Sequence, residues 1–335
     1  MPAKISKYRT AIMGVAILWI MAYHSGISFP LHIPVLSPVA SYVRSTGYGA
    51  VDIFMFLSGF GLYMSLSRNP DCLTFYKKRV FRILPTYLPV LTVWLLLNLP
   101  AIPEDAWRHA LLQNLITVLN NLTGAAFWLS KPPSFNWYMP AMIAFYLLTP
   151  VLFSLMGTRR RETGLLLFTL LLDISFLDDY ALVAVSRLTV FVLGMITGRC
   201  LSKKREIGWK VELTAYLSGI ISYIALYCFR EKMPLLLWSK GLHWYSFIFV
   251  APALIFLLCR LFSLLDTSTA GHRICLAFEK TGLLTLEIYL IHIGLFDYLH
   301  IESGCLCIPV LLLMIACGWL YQKAIAAVTA RIARK

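Results

Sequence analysis

The sequence has little charge, and its cysteines and histidines form no pattern that would hold a metal ion. Only 14% of its 335 residues are charged, 59% are hydrophobic, and the mean hydropathy is +0.74. The eight cysteines are scattered apart from Cys305 and Cys307, so neither a zinc site nor a disulfide framework is predicted. These shortages exclude an ordinary soluble protein and indicate a chain that resides in a lipid bilayer.

Apolar runs of about 20 residues, the length of helix that crosses a bilayer, recur along the chain. They predict an all-α polytopic membrane protein with about ten transmembrane helices, in one integral membrane domain over residues 1–335 with no appended soluble domain. Residues 101–134 mix apolar and amide side chains at helical spacing, which predicts an amphipathic helix at the outer interface or dipping into the bundle. The predicted spans are 10–29, 48–67, 83–100, 135–156, 164–180, 183–200, 211–229, 243–265, 281–300 and 305–327.

Positive charge is in excess, with 30 Lys and Arg against 16 Asp and Glu and a net charge of +14. A nucleic-acid surface would also be basic, but here most of the cations fall at alternate ends of successive apolar runs. Cytoplasmic loops of membrane proteins carry this bias, so both termini are predicted to be cytoplasmic and no nucleic-acid partner is expected. The basic clusters lie at residues 4–9, 68–82, 159–161, 199–210, 260–280 and 323–335.

A charge inside a span costs about 2.5–3.5 kcal/mol on insertion scales, and six of the ionisable residues in the predicted spans are therefore candidates for a functional site. At about 1.5 Å of rise per residue, His24 and Asp52 fall at similar depths on adjacent spans. A carboxylate there would orient the imidazole and raise its basicity, as a general base requires. The alternatives are a buried histidine bonded to a neighbouring helix and an aspartate that caps a helix start. The six residues are His24, Asp52, Asp173, Arg187, Glu287 and His292.

Two further groups of residues share a helix face. Tyr289 and His292 are three residues apart, whereas Glu287 points elsewhere and is open to two interpretations, an ion pair with Arg187 or a place in the site. In the segment FYKKRVFRILP, residues 75–85, a helix would stack three cations on one face. Such a cluster can hold phosphates, and the alternative is the ordinary positive charge of a cytoplasmic loop. These cations are Lys78, Arg79 and Arg82.

Five separated blocks stand out in the chain: AILWIMAYHSG, GYGAVDIFMFLSGFGLYMS, FYKKRVFRILPTY, NWYMPAMIAFYLLTPVL and LLTLEIYLIHIGLF. In this order they resemble the signature segments of the acyltransferase family 3 membrane proteins. The resemblance implies a multi-pass enzyme of the plasma membrane that needs no metal. Such an enzyme moves an acyl group, commonly acetyl, from cytoplasmic acyl-CoA to a hydroxyl of an extracytoplasmic or lipid-linked carbohydrate.

The resemblance also assigns roles to particular residues. The family has an arginine eleven residues before its first-span histidine, but Met13 stands there, and we expect Arg9, one turn nearer the cytoplasm, to replace it. The catalytic group is expected to be His24, Asp52, Tyr289 and His292. The phosphates of acyl-CoA are expected at Arg9, Lys78, Arg79 and Arg82, and the substrate near Trp137, Tyr138 and Glu287.

In the implied mechanism, His24 is oriented by Asp52 and either deprotonates the acceptor hydroxyl or carries the acyl group itself. Gly59 and Gly61 leave room for the acyl arm between helices. The donor to the oxyanion is Tyr289, His292 or Trp137. Two other function classes stay open on the residues alone, a transporter or flippase with a similar number of spans and a non-catalytic sensor of the same fold.

Overall fold

The computed structural model of the protein describes residues 1–25, 36–98, 107–129, 136–175, 180–234, 240–299 and 307–332. Within them the chain is helical and contains no β-strand, so the all-α prediction is confirmed. Short 3-10 turns at Gly47–Gly49 and Leu242–Trp244 precede α3 and α12. The helices are α1 (Pro2–His24), α2 (Leu36–Ser45), α3 (Ala50–Arg68), α4 (Cys72–Asn98), α5 (Trp107–Thr123), α6 (Ala125–Trp128), α7 (Tyr138–Leu155), α8 (Arg159–Ser175), α9 (Leu182–Val185), α10 (Leu188–Ser202), α11 (Trp209–Phe229), α12 (Ser246–Leu265), α13 (Thr269–Gly282), α14 (Thr285–Leu299) and α15 (Cys307–Ile332).

Among the described residues, eight helical segments are long and apolar enough to cross a bilayer. They coincide with eight of the ten predicted spans. The predicted fifth and ninth spans correspond to α8 and α14, which have only 17 and 15 residues. The first turn of α8 is also charged, which shortens its apolar part further. Within the described residues the chain is therefore an all-α polytopic membrane protein, and two of the predicted spans fall on helices that are not among the eight long ones.

Two helices begin well before the apolar runs that predicted them. Helix α1 begins at Pro2 rather than at residue 10, and α4 begins at Cys72 rather than at residue 83. The side chain of Asp71 caps α4, because its Oδ2 accepts a hydrogen bond of 2.8 Å from the Thr74 N–H. Hydrogen bonds from the Thr74 side chain and backbone hold the pKa of Asp71 below its ordinary value. The basic segment 75–85 is thus the start of a helix and not a loop.

Glycines allow α3 and α10 to pack closely at the centre of the bundle. A Cβ on Gly59 would meet the carbonyl oxygen of Phe191, and a Cβ on Gly194 would meet the carbonyl oxygen of Phe56. Membrane helices commonly associate through such small residues, since lipid offers no hydrophobic drive for their association. Gly59 therefore serves helix packing and leaves no room for an acyl arm, which corrects that expectation.

Ion pairs and hydrogen bonds bring four of the six basic clusters to the same face as the amino terminus. The amino group of Met1 lies 2.5 Å from Glu206 Oε2, between α10 and α11. Lys7 Nζ lies 2.7 Å from Asp266 Oδ2, just after α12. In α15, Gln322 Nε2 donates to the carbonyl of Leu283 at the end of α13. These contacts agree with the alternation of charge that predicts cytoplasmic termini.

The amphipathic helix predicted within 101–134 corresponds to α5 and α6. Residues 101–106 and 130–134 lie outside the described residues. Along α5, Leu112, Leu115 and Leu119 are exposed, as expected of side chains that face lipid. The Tyr87 hydroxyl donates a hydrogen bond of 3.1 Å to the carbonyl of Asn121 and ties the end of α5 to α4.

Candidate active site

A cavity of about 240 Å³ lies between α1, α3, α4, α7 and α14, and we call it the arginine cavity. Arg9 lines it from α1, and Arg79 and Arg82 line it from α4. Among the described residues that form its wall, none is acidic. Three guanidinium groups without a lining carboxylate make a strongly electropositive chamber that suits an anion.

Contacts within the cavity hold two of these arginines in place. Arg79 Nη2 donates to Ser65 Oγ at 3.2 Å, and its guanidinium lies 5.4 Å from the centre of the Phe75 ring. The Arg9 guanidinium lies against the bare backbone of Gly61, so closely that a Cβ there would collide with Arg9 Nη1. Met13 lines the same cavity. Arg9 therefore reaches the chamber in which an arginine at position 13 would also lie.

Two tyrosines connect the arginine cavity to a pair of histidines. Tyr138 and Tyr289 line the cavity, and their ring centres are 4.4 Å apart. The Tyr289 ring centre lies 5.6 Å from that of His292, which in turn lies 5.0 Å from that of His24. The described residues thus form an unbroken series of contacts from the cationic chamber to the end of α1.

The hydrogen bonds of the histidine pair fix which nitrogen carries the proton. His292 Nδ1 lies 3.0 Å from the carbonyl oxygen of Ile288 and 2.9 Å from that of Tyr289. Carbonyl oxygens only accept, so Nδ1 of His292 carries the hydrogen, and Nε2 of the neutral ring is an acceptor. His24 Nδ1, at 2.9 Å from His292 Nε2, is then the donor. The lone pair of neutral His24 is consequently on its Nε2.

A family model described as an acyltransferase domain matches residues 11–328. The chain belongs to acyltransferase family 3. Comparisons with curated proteins and with solved structures gave no match. The matched residues of this membrane acyltransferase contain both tyrosines, both histidines and two of the three cavity arginines. Arg9 lies just before them.

The acyltransferase does not pair His24 with Asp52. Asp52 Oδ1 lies 3.8 Å from Arg187 Nε, and among the described residues no hydrogen bond or ion pair joins Asp52 to His24. The prediction that this carboxylate orients the imidazole is therefore wrong, because Asp52 faces α10. His292 occupies the position that was expected for Asp52.

The buried ion pair of Arg187 and Asp52 was missed by reading the sequence. Arg187 is fully buried, and its guanidinium lies 4.0 Å from the centre of the Trp244 ring and 5.2 Å from that of Trp137. Trp137 thus packs on this arginine and does not line the arginine cavity. The sequence did contain a signal for this pair, because Asp52 and Arg187 carry opposite charges and each lies near the start of a central helix.

Two other predicted positions also lie outside the arginine cavity of the acyltransferase. Lys78 is exposed and is not part of the cavity wall, although it is one turn from Arg82. Glu287 is buried, forms no ion pair with Arg187 among the described residues, and interacts with Gln322 of α15. The suggested pair of Glu287 with Arg187 is wrong because Arg187 is matched to Asp52.

Proposed function

We propose that this acyltransferase moves an acetyl group from cytoplasmic acetyl-CoA to a hydroxyl of an extracytoplasmic or lipid-linked carbohydrate in the plasma membrane. The observation that carries the proposal is the continuity between the arginine cavity and the histidine pair, through Tyr138 and Tyr289. Anion binding and proton chemistry are then adjacent, as a reaction that uses CoA requires.

The arginine cavity suits the phosphates of CoA. A charge-assisted hydrogen bond contributes about 1.5–3 kcal/mol, so three guanidinium groups supply enough attraction to anchor a polyanion. The volume of about 240 Å³ is below the roughly 300–1,000 Å³ of a pocket that encloses a whole ligand. In this proposal the cavity holds the part of CoA that carries phosphate and the start of its thiol arm, and the nucleoside stays outside.

The proton steps use His24 and His292. The Nε2 lone pair of His24 takes the proton from the acceptor hydroxyl, and that oxygen attacks the thioester carbonyl. The carbon–sulfur bond breaks, and the departing sulfur receives the proton from His24. His292 orients the His24 ring, because its Nε2 accepts a hydrogen bond from the His24 Nδ1–H throughout the reaction. In the alternative route, His24 Nε2 attacks the thioester carbonyl, the carbon–sulfur bond breaks and CoA leaves as its thiolate. The acceptor hydroxyl then attacks the acetyl carbon, the bond from that carbon to Nε2 breaks, and the hydroxyl proton passes to the thiolate.

Tyr289 is our choice for the donor to the oxyanion. His292 has both nitrogens engaged, with backbone carbonyls and with His24. Trp137 packs on Arg187, outside the cavity. Tyr289 lines the cavity and its ring lies beside that of His292, so in this proposal its hydroxyl donates to the oxyanion.

Radiolabelled acetyl-CoA offered to the purified protein with an extract of envelope glycans tests the proposal. We expect label on the glycan with the wild type, none with His24→Ala, and a raised KM for acetyl-CoA with Arg82→Gln. Lys78→Gln is the matched control, since it removes one cation from the same helix outside the cavity. Acetyl transfer that survives His24→Ala would rule out His24 as the general base.

The same preparation separates the rival classes. Uptake of label into vesicles without covalent transfer would indicate a carrier, and neither uptake nor transfer would indicate a sensor. Acceptor identity requires mass spectrometry of envelope glycans with and without the gene. We expect the loss of one acetyl mass from a single glycan class, and an unchanged glycan profile would contradict the carbohydrate acceptor.

A further inference from the structure

A second and larger cavity, of about 920 Å³, lies between α8, α10, α11 and α12, and we call it the basic-rimmed groove. Its deep walls are apolar, with leucine, isoleucine and phenylalanine side chains from several helices. On α3, Phe56 faces this groove, whereas Leu57 and Gly61 face the arginine cavity. The two cavities therefore lie on different faces of the same central helix.

The rim of the groove is cationic on the face that the charge bias assigns to the cytoplasm. Its two acidic residues already have partners, because Glu162 pairs with Arg199 and Glu206 pairs with the amino group of Met1. The remaining rim cations form no ion pair with any residue that the structure describes. They are Arg159 at the start of α8, Lys203 and Arg205 after α10, and Lys210 at the start of α11.

A deep apolar wall below a ring of cations has the polarity of an anionic lipid. We propose that the basic-rimmed groove binds an anionic phospholipid of the cytoplasmic leaflet, with its acyl chains between the helices and its phosphate at Lys203, Arg205 and their neighbours. Basic pockets between transmembrane helices on the cytoplasmic side bind lipid head groups in this way. Acetyl-CoA fits less well, since a two-carbon acyl group leaves the apolar wall unfilled.

Such a lipid would support the packing of the central helices. Thr189 of α10 lines the groove, donates a hydrogen bond of 2.9 Å to Asp173 Oδ2, and has its Oγ1 3.0 Å from Thr169 Oγ1, and these contacts join α10 to α8. A lipid between these helices and α11 fills space that water would otherwise enter. We therefore expect the anionic lipid to raise the thermal stability of the acyltransferase, independently of which donor or acceptor it uses.

The test compares lipids on the purified protein by native mass spectrometry and by thermal unfolding. Phosphatidylglycerol is expected to bind and to raise the unfolding temperature, and phosphatidylcholine of the same chain length to do so much less. The double variant Lys203→Gln/Arg205→Gln should weaken phosphatidylglycerol binding roughly 30-fold. The matched control is Lys77→Gln/Lys78→Gln, which removes two exposed cations of α4 outside the groove and should leave binding unchanged.

A third variant blocks the apolar wall and keeps every charge. Ala215 lines the groove from α11, and Ala215→Phe should displace the lipid without altering the rim. Equal binding of the two lipids by the wild type would overturn the proposal even if a variant failed to fold. It would also be overturned by equal loss in the two double variants, or by acetyl-CoA displacing phosphatidylglycerol.

Discussion

Adding one methyl group at Gly61 tests the arrangement of the arginine cavity directly. In Gly61→Ala, the new Cβ would collide with Arg9 Nη1. The colliding atom is the far end of a long, flexible side chain, so Arg9 can swing away while the backbone stays in place. Alanine also favours helix over glycine by about 1 kcal/mol. We therefore expect a folded protein with a displaced Arg9.

The size of the effect follows from the contact that Arg9 would lose. A hydrogen bond to a charged group contributes about 1.5–3 kcal/mol, which corresponds to a factor of roughly 10 to 150 in affinity. The KM for acetyl-CoA should rise within that range. The kcat should change much less, because the binding of ground state and transition state is weakened alike and the histidine pair is untouched.

Two other glycines of the chain provide matched controls for the same added methyl. In Gly59→Ala the Cβ would meet the carbonyl oxygen of Phe191, and a backbone atom at a helix crossing has no room to move. That variant should lose thermal stability rather than donor affinity. In Gly164→Ala no neighbouring atom outside the local helix backbone lies within 4 Å of the new Cβ, so donor affinity should match the wild type and stability should be equal to it or higher by up to about 1 kcal/mol.

Steady-state transfer kinetics and thermal unfolding of the three variants form the assay. The reasoning would be refuted if Gly61→Ala kept the wild-type KM, since Arg9 would then make no contact with the donor. It would also be refuted if Gly61→Ala lost as much stability as Gly59→Ala, since the methyl would then disturb helix packing and not the guanidinium.

Three further changes have expected outcomes. His292→Ala should lower kcat about 10- to 100-fold at an unchanged KM for acetyl-CoA, because His24 loses the group that orients it; a large rise in KM would contradict this. Arg187→Met should cost about 3–5 kcal/mol of stability, since it leaves Asp52 buried and unpaired, and a neutral effect on thermal unfolding would oppose it. At Asp266, hydrogen bonds from His272, Lys7 and Tyr8 lower the pKa, so its contribution is present above the ordinary carboxyl pKa of about 3.9 and fades as the pH falls toward the lowered value. Asp266→Asn should therefore destabilise the protein near neutral pH and progressively less in acid, whereas a pH-independent difference in unfolding temperature would argue against the linkage.

The three arginines that line the arginine cavity were predictable from the sequence because they lie on two local patterns. Arg79 and Arg82 are three residues apart, which already places them together on any helix. Arg9 was found because it lies one helical turn before Met13, the position at which the family resemblance expects an arginine. Lys78 obeys the same spacing rule and still lies outside the cavity wall, since spacing along one helix does not specify which of its faces meets a neighbour.

The partners of the buried polar groups were not predictable in the same way. Equal depth suggested His24 with Asp52 and left Glu287 with Arg187 open, but the structure joins His24 to His292 and Asp52 to Arg187. Depth fixes only the position along the membrane normal. The rotation of each helix and its place in the bundle decide which of several groups at one depth come into contact.

The sequence by itself determined the helices, the membrane and the face that carries positive charge. Each of these follows from the transfer of local segments between water and lipid, which depends on composition over about 20 residues. Only the tertiary structure decided that three arginines, two tyrosines and two histidines form one connected site. Close contacts between residues far apart in the chain, such as Gly59 with Phe191 and Gly194 with Phe56, determine this arrangement. These contacts fix the rotation of each helix about its own axis.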